Sequence, residues 1–291
     1  MRSLSTASPS VLVMKLTGAK VTSWPASQER ENEDSAIIDP QGAVVVDGAG
    51  IPTSMRSGCS HSVAWYSQTL ATRLQLRLAN RDAAMRDALR SAIADVGAEH
   101  SDSCDLAAGS PSATVAAWRL TGATLEYLVL CDSSILLAFA DGRDLEVTDT
   151  RLDEVVEPWV EKAMAQRTRS GATNLPQDIL AARRAAVEAL RNTKEGFWCC
   201  HHDPSAADEA VEGSVPLAVL RGVVLATDGA TRGIHLLNIH TRKDVMDMVL
   251  PGLHGKLLGQ IRTAEEQDKQ TLALRSVKVH DDATLISARF Q

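Results

Sequence analysis

Asn32-Glu33-Asp34-Ser35-Ala36-Ile37-Ile38-Asp39-Pro40-Gln41-Gly42-Ala43-Val44-Val45-Val46-Asp47-Gly48 is the stretch on which the reading of the chain turns. Two runs with strand character, Ser35–Asp39 and Ala43–Val46, flank a Pro-Gln-Gly turn signal, so the segment reads as a β-hairpin. Pairing Ile38 with Ala43 carries the register outward until Asp34 faces Asp47. Like charges directly opposed across a strand pair are destabilising, and a compensating cation or basic partner must hold them; a divalent metal is the simplest. For one such pair taken alone, two solvated strand ends are the better explanation. The unbroken run Val44-Val45-Val46 predicts a strand covered on both faces.

Further carboxylates stand at the ends of other apolar runs. Val223-Val224-Leu225-Ala226-Thr227 delivers Asp228 at its tip, Asp281 and Asp282 precede the final strand, and Asp132 ends a central one. No lysine or arginine adjoins them in sequence, so neighbouring strands would bring four or five uncompensated carboxylates to one sheet edge. Clusters so rich in oxygen favour Mg2+ or Mn2+ over zinc. Asp-Gly occurs at Asp47-Gly48, Asp141-Gly142 and Asp228-Gly229. Asp141-Gly142 reads as a tight turn. The other two lead into Ala49-Gly50-Ile51-Pro52 and Ala230-Thr231-Arg232-Gly233, which begin no partner strand and read as site loops, where glycine lets its carbonyl approach a metal.

Strands are also expected at Thr114–Leu120, Leu125–Leu130, Ile135–Ala140, Leu217–Thr227 and Ala283–Phe290. Val63, Tyr66, Leu70, Leu74 and Leu78, then Met85, Leu89, Ile93 and Val96, recur at helical spacing and predict a long helical hairpin. A second helical pair spans Asp153–Arg167 and Gln177–Arg191, and later helices span Thr241–Leu250 and Leu253–Lys269. Strands and helices do not alternate regularly, which excludes a doubly wound parallel sheet and favours antiparallel sheets flanked by helices. Residues 1–10 are expected to be a mobile tail and residues 11–291 a single domain with a helical insert around 151–194, while Glu99–Ser112 reads as a surface connection.

With 44% hydrophobic and 23% charged residues among 291, the chain has an ordinary globular composition. A net charge of -7 offers no general surface for phosphate backbones, so no nucleic-acid partner is expected. No apolar run is long enough to span a membrane. Cys59, Cys104, Cys131, Cys199 and Cys200 form an odd set without CxxC, which fits a reduced, cytoplasmic setting better than a disulfide framework. Cys199-Cys200-His201-His202 is no zinc site by itself, since adjacent strand residues alternate faces and cannot close a tetrahedron. His61 and His280 are placed to approach the carboxylates from neighbouring loops, in a supporting or structural role.

Five blocks in order give the chain a family likeness: Asn32-Glu33-Asp34-Ser35; Val45-Val46-Asp47-Gly48-Ala49-Gly50; Ser112-Ala113-Thr114-Val115 with Cys131-Asp132-Ser133; Leu225-Ala226-Thr227-Asp228-Gly229; and Asp281-Asp282-Ala283-Thr284. In these the chain resembles the metal-dependent protein phosphatase 2C family, with Gly196-Phe197-Trp198 leading into Asp203-Pro204 looking most like divergent bacterial members. The resemblance implies an α+β fold, a four-layer α-β-β-α sandwich of two antiparallel sheets between helical pairs, with a binuclear Mn2+ or Mg2+ centre at one end. It implies a serine/threonine protein phosphatase that activates a water between two cations about 4 Å apart and aims it at phosphorus. By motif, Asp47 and the Gly48 carbonyl would touch both ions. Asp34, with Glu33 through water, would lie on one side and Asp228 and Asp281 on the other, and Asp132 would hold a third ion with Asp228.

Departures from the family pattern bear on function. An arginine usually stands five residues before the first aspartate; here Glu29 has that place and Arg30 follows, making Arg30 the phosphate-binding candidate. Ala49 stands where many eukaryotic members have histidine, and Ile51 replaces a glycine, which leaves protonation of the leaving group unassigned. Cys131 replaces the glycine of a Gly-Asp-Ser block, and Asp282 stands where asparagine is common. Beside a phosphoprotein phosphatase, two alternatives follow: a phosphoprotein-binding scaffold of little or no activity, and a phosphatase of small phosphoesters. The oligomeric state is open.

Overall fold

The computed structural model describes residues 16–50, 56–170, 177–269, 272 and 278–291, so the expected mobile tail and Ile51 lie outside the described residues. In chain order the elements are β1 (Leu16–Trp24), β2 (Asp34–Asp39), β3 (Gly42–Ala49), α1 (Val63–Leu78), α2 (Met85–His100), β4 (Ser112–Thr121), β5 (Thr124–Leu130), β6 (Ser134–Phe139) and β7 (Asp144–Val147). Then come α3 (Arg151–Ser170), α4 (Gln177–Leu190), β8 (Val211–Pro216), β9 (Leu220–Ala226), α5 (Asp228–His235), α6 (Arg242–Val249), α7 (His254–Gln267) and β10 (Ala283–Phe290).

Two five-stranded sheets, ordered β1-β10-β9-β6-β7 and β2-β3-β4-β5-β8, are antiparallel throughout. Their packing follows from the two-residue period of a strand. Val44 and Val46 face α1 and α2 in one core, while Ala43 and Val45 face the other sheet in a second. On the opposite sheet Ile135, Leu137, Val223 and Leu225 point into the inter-sheet core, and Leu136 and Val224 into a third core beneath α5, α6 and α7. The result is the expected four-layer α-β-β-α sandwich. Strands β3 and β9 are buried on both faces, and this is why their sequences run apolar without alternation.

Three strands were not among those expected, and all three lie at sheet edges: β1, β7 and β8. The expected run Leu217–Thr227 is shorter as a strand, because Leu217–Val219 forms a 3-10 turn before β9 begins. Asp141-Gly142 is a tight turn between β6 and β7, with Gly142 at φ 88°. Arg119, buried on β4, bonds Glu126 and the carbonyls of Asn80 and Ala83, tying the sheet to the turn between α1 and α2.

His254, the first residue of α7, is fully buried between Thr22 on β1 and Ser287 on β10, at 3.1 and 2.9 Å from their hydroxyls. Burial, reinforced by Lys20, pushes its pKa down to about 4. Between pH about 4 and 6.5 the unfolded chain therefore binds a proton at His254 that the fold excludes, and the contribution of His254 to stability falls as pH falls through that window. We expect His254→Gln to gain melting temperature relative to the parent as pH falls from about 7 to 4.5; a difference between the two proteins that does not change with pH would show that His254 carries no acid sensitivity.

Candidate metal centre

The β2–β3 ladder runs through Ile38↔Ala43 and ends with Asp34 opposite Asp47, the register the turn predicts. A threonine joins this hairpin to the second sheet. Thr227, after the last residue of β9, donates its hydroxyl to Asp34 Oδ2 at 2.9 Å and accepts the Thr284 amide at 2.9 Å, while its own amide donates to the Thr284 carbonyl. The tips of β2, β3, β9 and β10 thus meet at one end of the sandwich. Asp228 follows at the start of α5, where a carboxylate is favoured by the helix dipole. Asp132 reaches the group from the turn before β6, and Asp281 from the residues before β10.

Two details correct the loop reading of the Asp-Gly pairs. Gly48 and Ala49 are paired residues of β3, facing Ala113 and Ser112 on β4, and Asp228-Gly229 opens helix α5. Both glycines serve close packing. A Cβ on Gly48 would lie 2.5 Å from the Glu33 carbonyl oxygen, and one on Gly229 would lie 1.9 Å from that of Asp282. Gly229→Ala should push α5 away from the β10 tip and lower stability by roughly 2–4 kcal/mol, read by denaturant unfolding. An unchanged midpoint would mean the contact relaxes freely.

Burial and mutual repulsion raise the pKa values of Asp34, Asp47, Asp132 and Asp228. Burial, then repulsion from Asp34, Asp228, Asp281 and Asp132, holds Asp47 well above the ordinary carboxyl range. Asp34 is pushed up to about 8 by burial against the hydrogen bonds of Thr284 and Thr227, and Asp132 to about 7 by burial and Asp228. Asp228 is raised by burial and Asp281, and it shares a side-chain hydrogen bond with Asp47. Burial raises Glu33 as well. Asp34 Oδ1 and Asp132 Oδ1 are buried without a hydrogen-bond partner among the described residues. Buried anionic oxygens left so are donors that suit a hard cation.

The structure also reveals compensating cations that adjacency in sequence hides. Lys278 Nζ donates to Asp281 Oδ1 at 2.7 Å, and Arg232 Nη2 to Asp281 Oδ2 at 3.2 Å, while Arg232 Nη1 bonds Glu265 and the Val279 carbonyl. Arg232 lies one helical turn beyond Asp228, a spacing that becomes informative only when 228–235 is a helix. Asp282 is turned away from the cluster: its two oxygens accept the amides of Ala26 and Glu33 at 2.6 and 2.8 Å, fixing the segment that leads into β2. Arg30 lines the cleft over Glu33, Lys278 and Asp281. Cys131 takes the left-handed backbone conformation, φ 66°, natural to the glycine it replaces, and packs with Phe197 and Cys199.

Neither histidine singled out from sequence belongs to this cluster. His280 bonds Glu265 and Glu266 on α7 at 2.8 and 2.7 Å. His61 lies with Cys59, His100 and Cys104, a grouping that sequence reading missed; its trace is Cys59-x-His61 before one helix and His100-x-x-x-Cys104 at the end of the next. In the Cys199–His202 run, Cys200 pairs with Ala113, and His201 lies 2.9 Å from the Ser110 hydroxyl. The run does not converge.

Residues 28–254 match the family model described as protein phosphatase 2C. The chain belongs to the protein phosphatase 2C family. It is thereby placed among the metal-dependent serine/threonine protein phosphatases. The match takes in Asp34, Asp47, Asp132 and Asp228 and ends before Asp281. Among solved structures, the catalytic domain of the serine/threonine phosphatase PstP in complex with two manganese ions is similar at TM-score 0.56 and 15% identity, over 95% of this chain and 99% of that one. PstP/Ppp of Mycobacterium tuberculosis has TM-score 0.56 and 13% identity, over 94% and 97% of the two chains. Stp1 of Staphylococcus aureus has TM-score 0.56 and 15% identity, over 94% of each. At such identities these neighbours speak for the family's fold. No curated protein matches the chain significantly.

Proposed function

We propose that this phosphatase hydrolyses phosphoserine and phosphothreonine esters of proteins with two divalent cations, Mn2+ or Mg2+, held by Asp34, Asp47, the Gly48 carbonyl, Asp228 and Asp281, with Glu33 acting through water. The observation that carries this reading is the meeting of five strand-end aspartates, two of them with a buried oxygen that has no hydrogen-bond partner among the described residues. The manganese pair in PstP supports the choice of ion. Asp132 would share a third ion with Asp228. Such cations lower the pKa of a water and offset charge on the transferring phosphoryl group.

The chain's own residues position the donors. Thr227 holds one oxygen of Asp34 and leaves the other for a cation, and the Asp282 carboxylate fixes the Glu33 amide. Arg30, at the cleft, places a positive charge where a phosphate would enter. Lys278 donates to Asp281 Oδ1, so a cation taking that oxygen would have to displace it. We infer a phosphorylated protein as the substrate and a cytoplasmic place for this chain, whose odd set of cysteines without CxxC suits a reduced compartment.

Engagement of both Asp281 oxygens by Lys278 and Arg232 favours one competing reading, a phosphoprotein-binding scaffold in which protein cations replace metal. Phosphate release from a phosphothreonine peptide, with Mn2+, with EDTA and with Asp228→Asn, decides between them. Turnover that requires both Mn2+ and Asp228 establishes the enzyme. Peptide binding without turnover establishes the scaffold, and parallel assays with small phosphoesters rank the substrate classes.

A further inference from the structure

Helices α1 and α2 form an antiparallel hairpin, so the segment before α1 and the end of α2 come together although Cys59 and Cys104 are far apart in sequence. Four side chains converge there. Cys59 Sγ lies 3.5 Å from His61 Nδ1 and 3.4 Å from His100 Nδ1, Cys104 Sγ lies 3.4 Å from His61 Nδ1, and all four donor atoms are within 4.8 Å of one another.

We propose that Cys59, His61, His100 and Cys104 form a tetrahedral Cys2His2 zinc site that clasps the two ends of the α1–α2 hairpin, separate from the carboxylate centre.

Geometry and ligand chemistry agree. Zn–S bonds of about 2.3 Å and Zn–N bonds of about 2.05 Å at tetrahedral angles put sulfur and nitrogen about 3.6 Å apart, close to the three separations seen. Hydrogen bonding alone accounts poorly for the arrangement, since two sulfurs converge on the single Nδ1 of His61, and one Nδ1 can exchange only one proton. Two thiolates would balance the charge of one Zn2+, and thiolate with imidazole selects zinc over the Mg2+ and Mn2+ that suit carboxylates. Each histidine offers Nδ1, which leaves Nε2 to carry the proton.

The surroundings are built to hold such a clasp. Ser62 caps α1 directly after His61, and His100 is the last residue of α2. Trp65 packs at a tilt against His61 and His100, with ring centroids 4.2 and 5.0 Å away. Arg56 Nη2 donates to the His61 carbonyl at 2.6 Å, bringing positive charge toward the thiolates. Asp105 donates its amide to the Gly58 carbonyl at 2.8 Å, and a Cβ on Gly58 would lie 2.2 Å from the Asp105 carbonyl oxygen, so the two segments are already in close backbone contact. The segment 99–112, a surface connection by sequence, is thus partly a docked one.

The test is metal analysis of the full chain purified under reducing conditions, followed by Co2+ replacement. We expect one equivalent of zinc per chain. The cobalt form should show tetrahedral d–d bands and a near-ultraviolet thiolate-to-cobalt charge-transfer band, lost in Cys59→Ser/Cys104→Ser and kept in Asp47→Asn. Zinc removal should lower the melting temperature by roughly 5 °C or more and alter Trp65 fluorescence. Should the cysteine variant fail to fold, zinc-edge X-ray absorption of the unmodified protein decides, with two sulfur and two nitrogen neighbours expected. A reduced chain that takes up neither zinc nor cobalt overturns the site, as does zinc with only oxygen or nitrogen neighbours. A Cys59–Cys104 disulfide whose reduction restores no metal binding overturns it equally.

Discussion

Asp47→Asn should lower Mn2+-dependent phosphate release on the order of 10³-fold or more and leave the cation-free fold intact. Asp47 stands opposite Asp34 on the paired strand, shares a hydrogen bond with Asp228, and is surrounded by the other four carboxyls of the cluster. Burial and that repulsion favour its protonated form when no cation is present. Asparagine is close to the protonated acid in shape and can still donate to Asp228. The substitution therefore removes the negative charge that Asp47 would offer a cation, without adding a buried charge or a cavity. Unfolding curves of the two proteins without Mn2+ should overlay, while Mn2+ should raise the melting temperature of the parent alone. Retained turnover with an unchanged metal requirement would remove Asp47 from the centre.

Metal and pH should act together on stability, with a sign set by the same carboxyls. In the fold Asp34 titrates at about 8 and Asp132 at about 7, against an ordinary value of 3.8. Between pH about 4 and 8 these carboxyls therefore hold protons in the fold that the unfolded chain has released, and their contribution to cation-free stability falls as pH rises through this window. A divalent cation displaces those protons, so its stabilisation grows with pH over the same interval. At a free concentration a hundred times the dissociation constant it amounts to about 2.7 kcal/mol. Calorimetric scans with and without Mn2+ near pH 6 and pH 8 should show the larger shift at the higher pH. In Asp47→Asn both the shift and its pH dependence should shrink. An Mn2+ shift equal at the two pH values would mean that the ion binds groups other than these.

That Asp34 and Asp47 face each other was legible in the sequence because a hairpin is local. One turn and a two-residue period determine that Asp34 faces Asp47, and a one-residue slip would have turned Val44 and Val46 away from α1 and α2. Ordered motifs brought in Asp132, Asp228 and Asp281 by family likeness, without any account of what surrounds them. The α1–α2 hairpin was equally plain from its helical spacing.

What tertiary structure decided has a common physical origin in contacts between residues remote in the chain. Strands β1, β7 and β8 carry weak apolar patterns because each lies at a sheet edge with a partner on one side only, and pairing rather than composition makes them strands. Residues 228–235 carry two glycines and read as a loop, yet form α5 because Gly229 alone fits beneath the Asp282 carbonyl. That helix turns Arg232 back onto Asp281, and Lys278 joins it there, so the charge balance of the cluster depended on placements that adjacency in sequence does not reveal. Cys59, His61, His100 and Cys104 were ordinary residues in two separate segments until the hairpin closed. The sequence by itself determined which carboxylates could meet, since strand register and motif order are local or linear properties. Folding decided which cations and thiols meet them and one another, because those neighbours are set by how helices cross and dock.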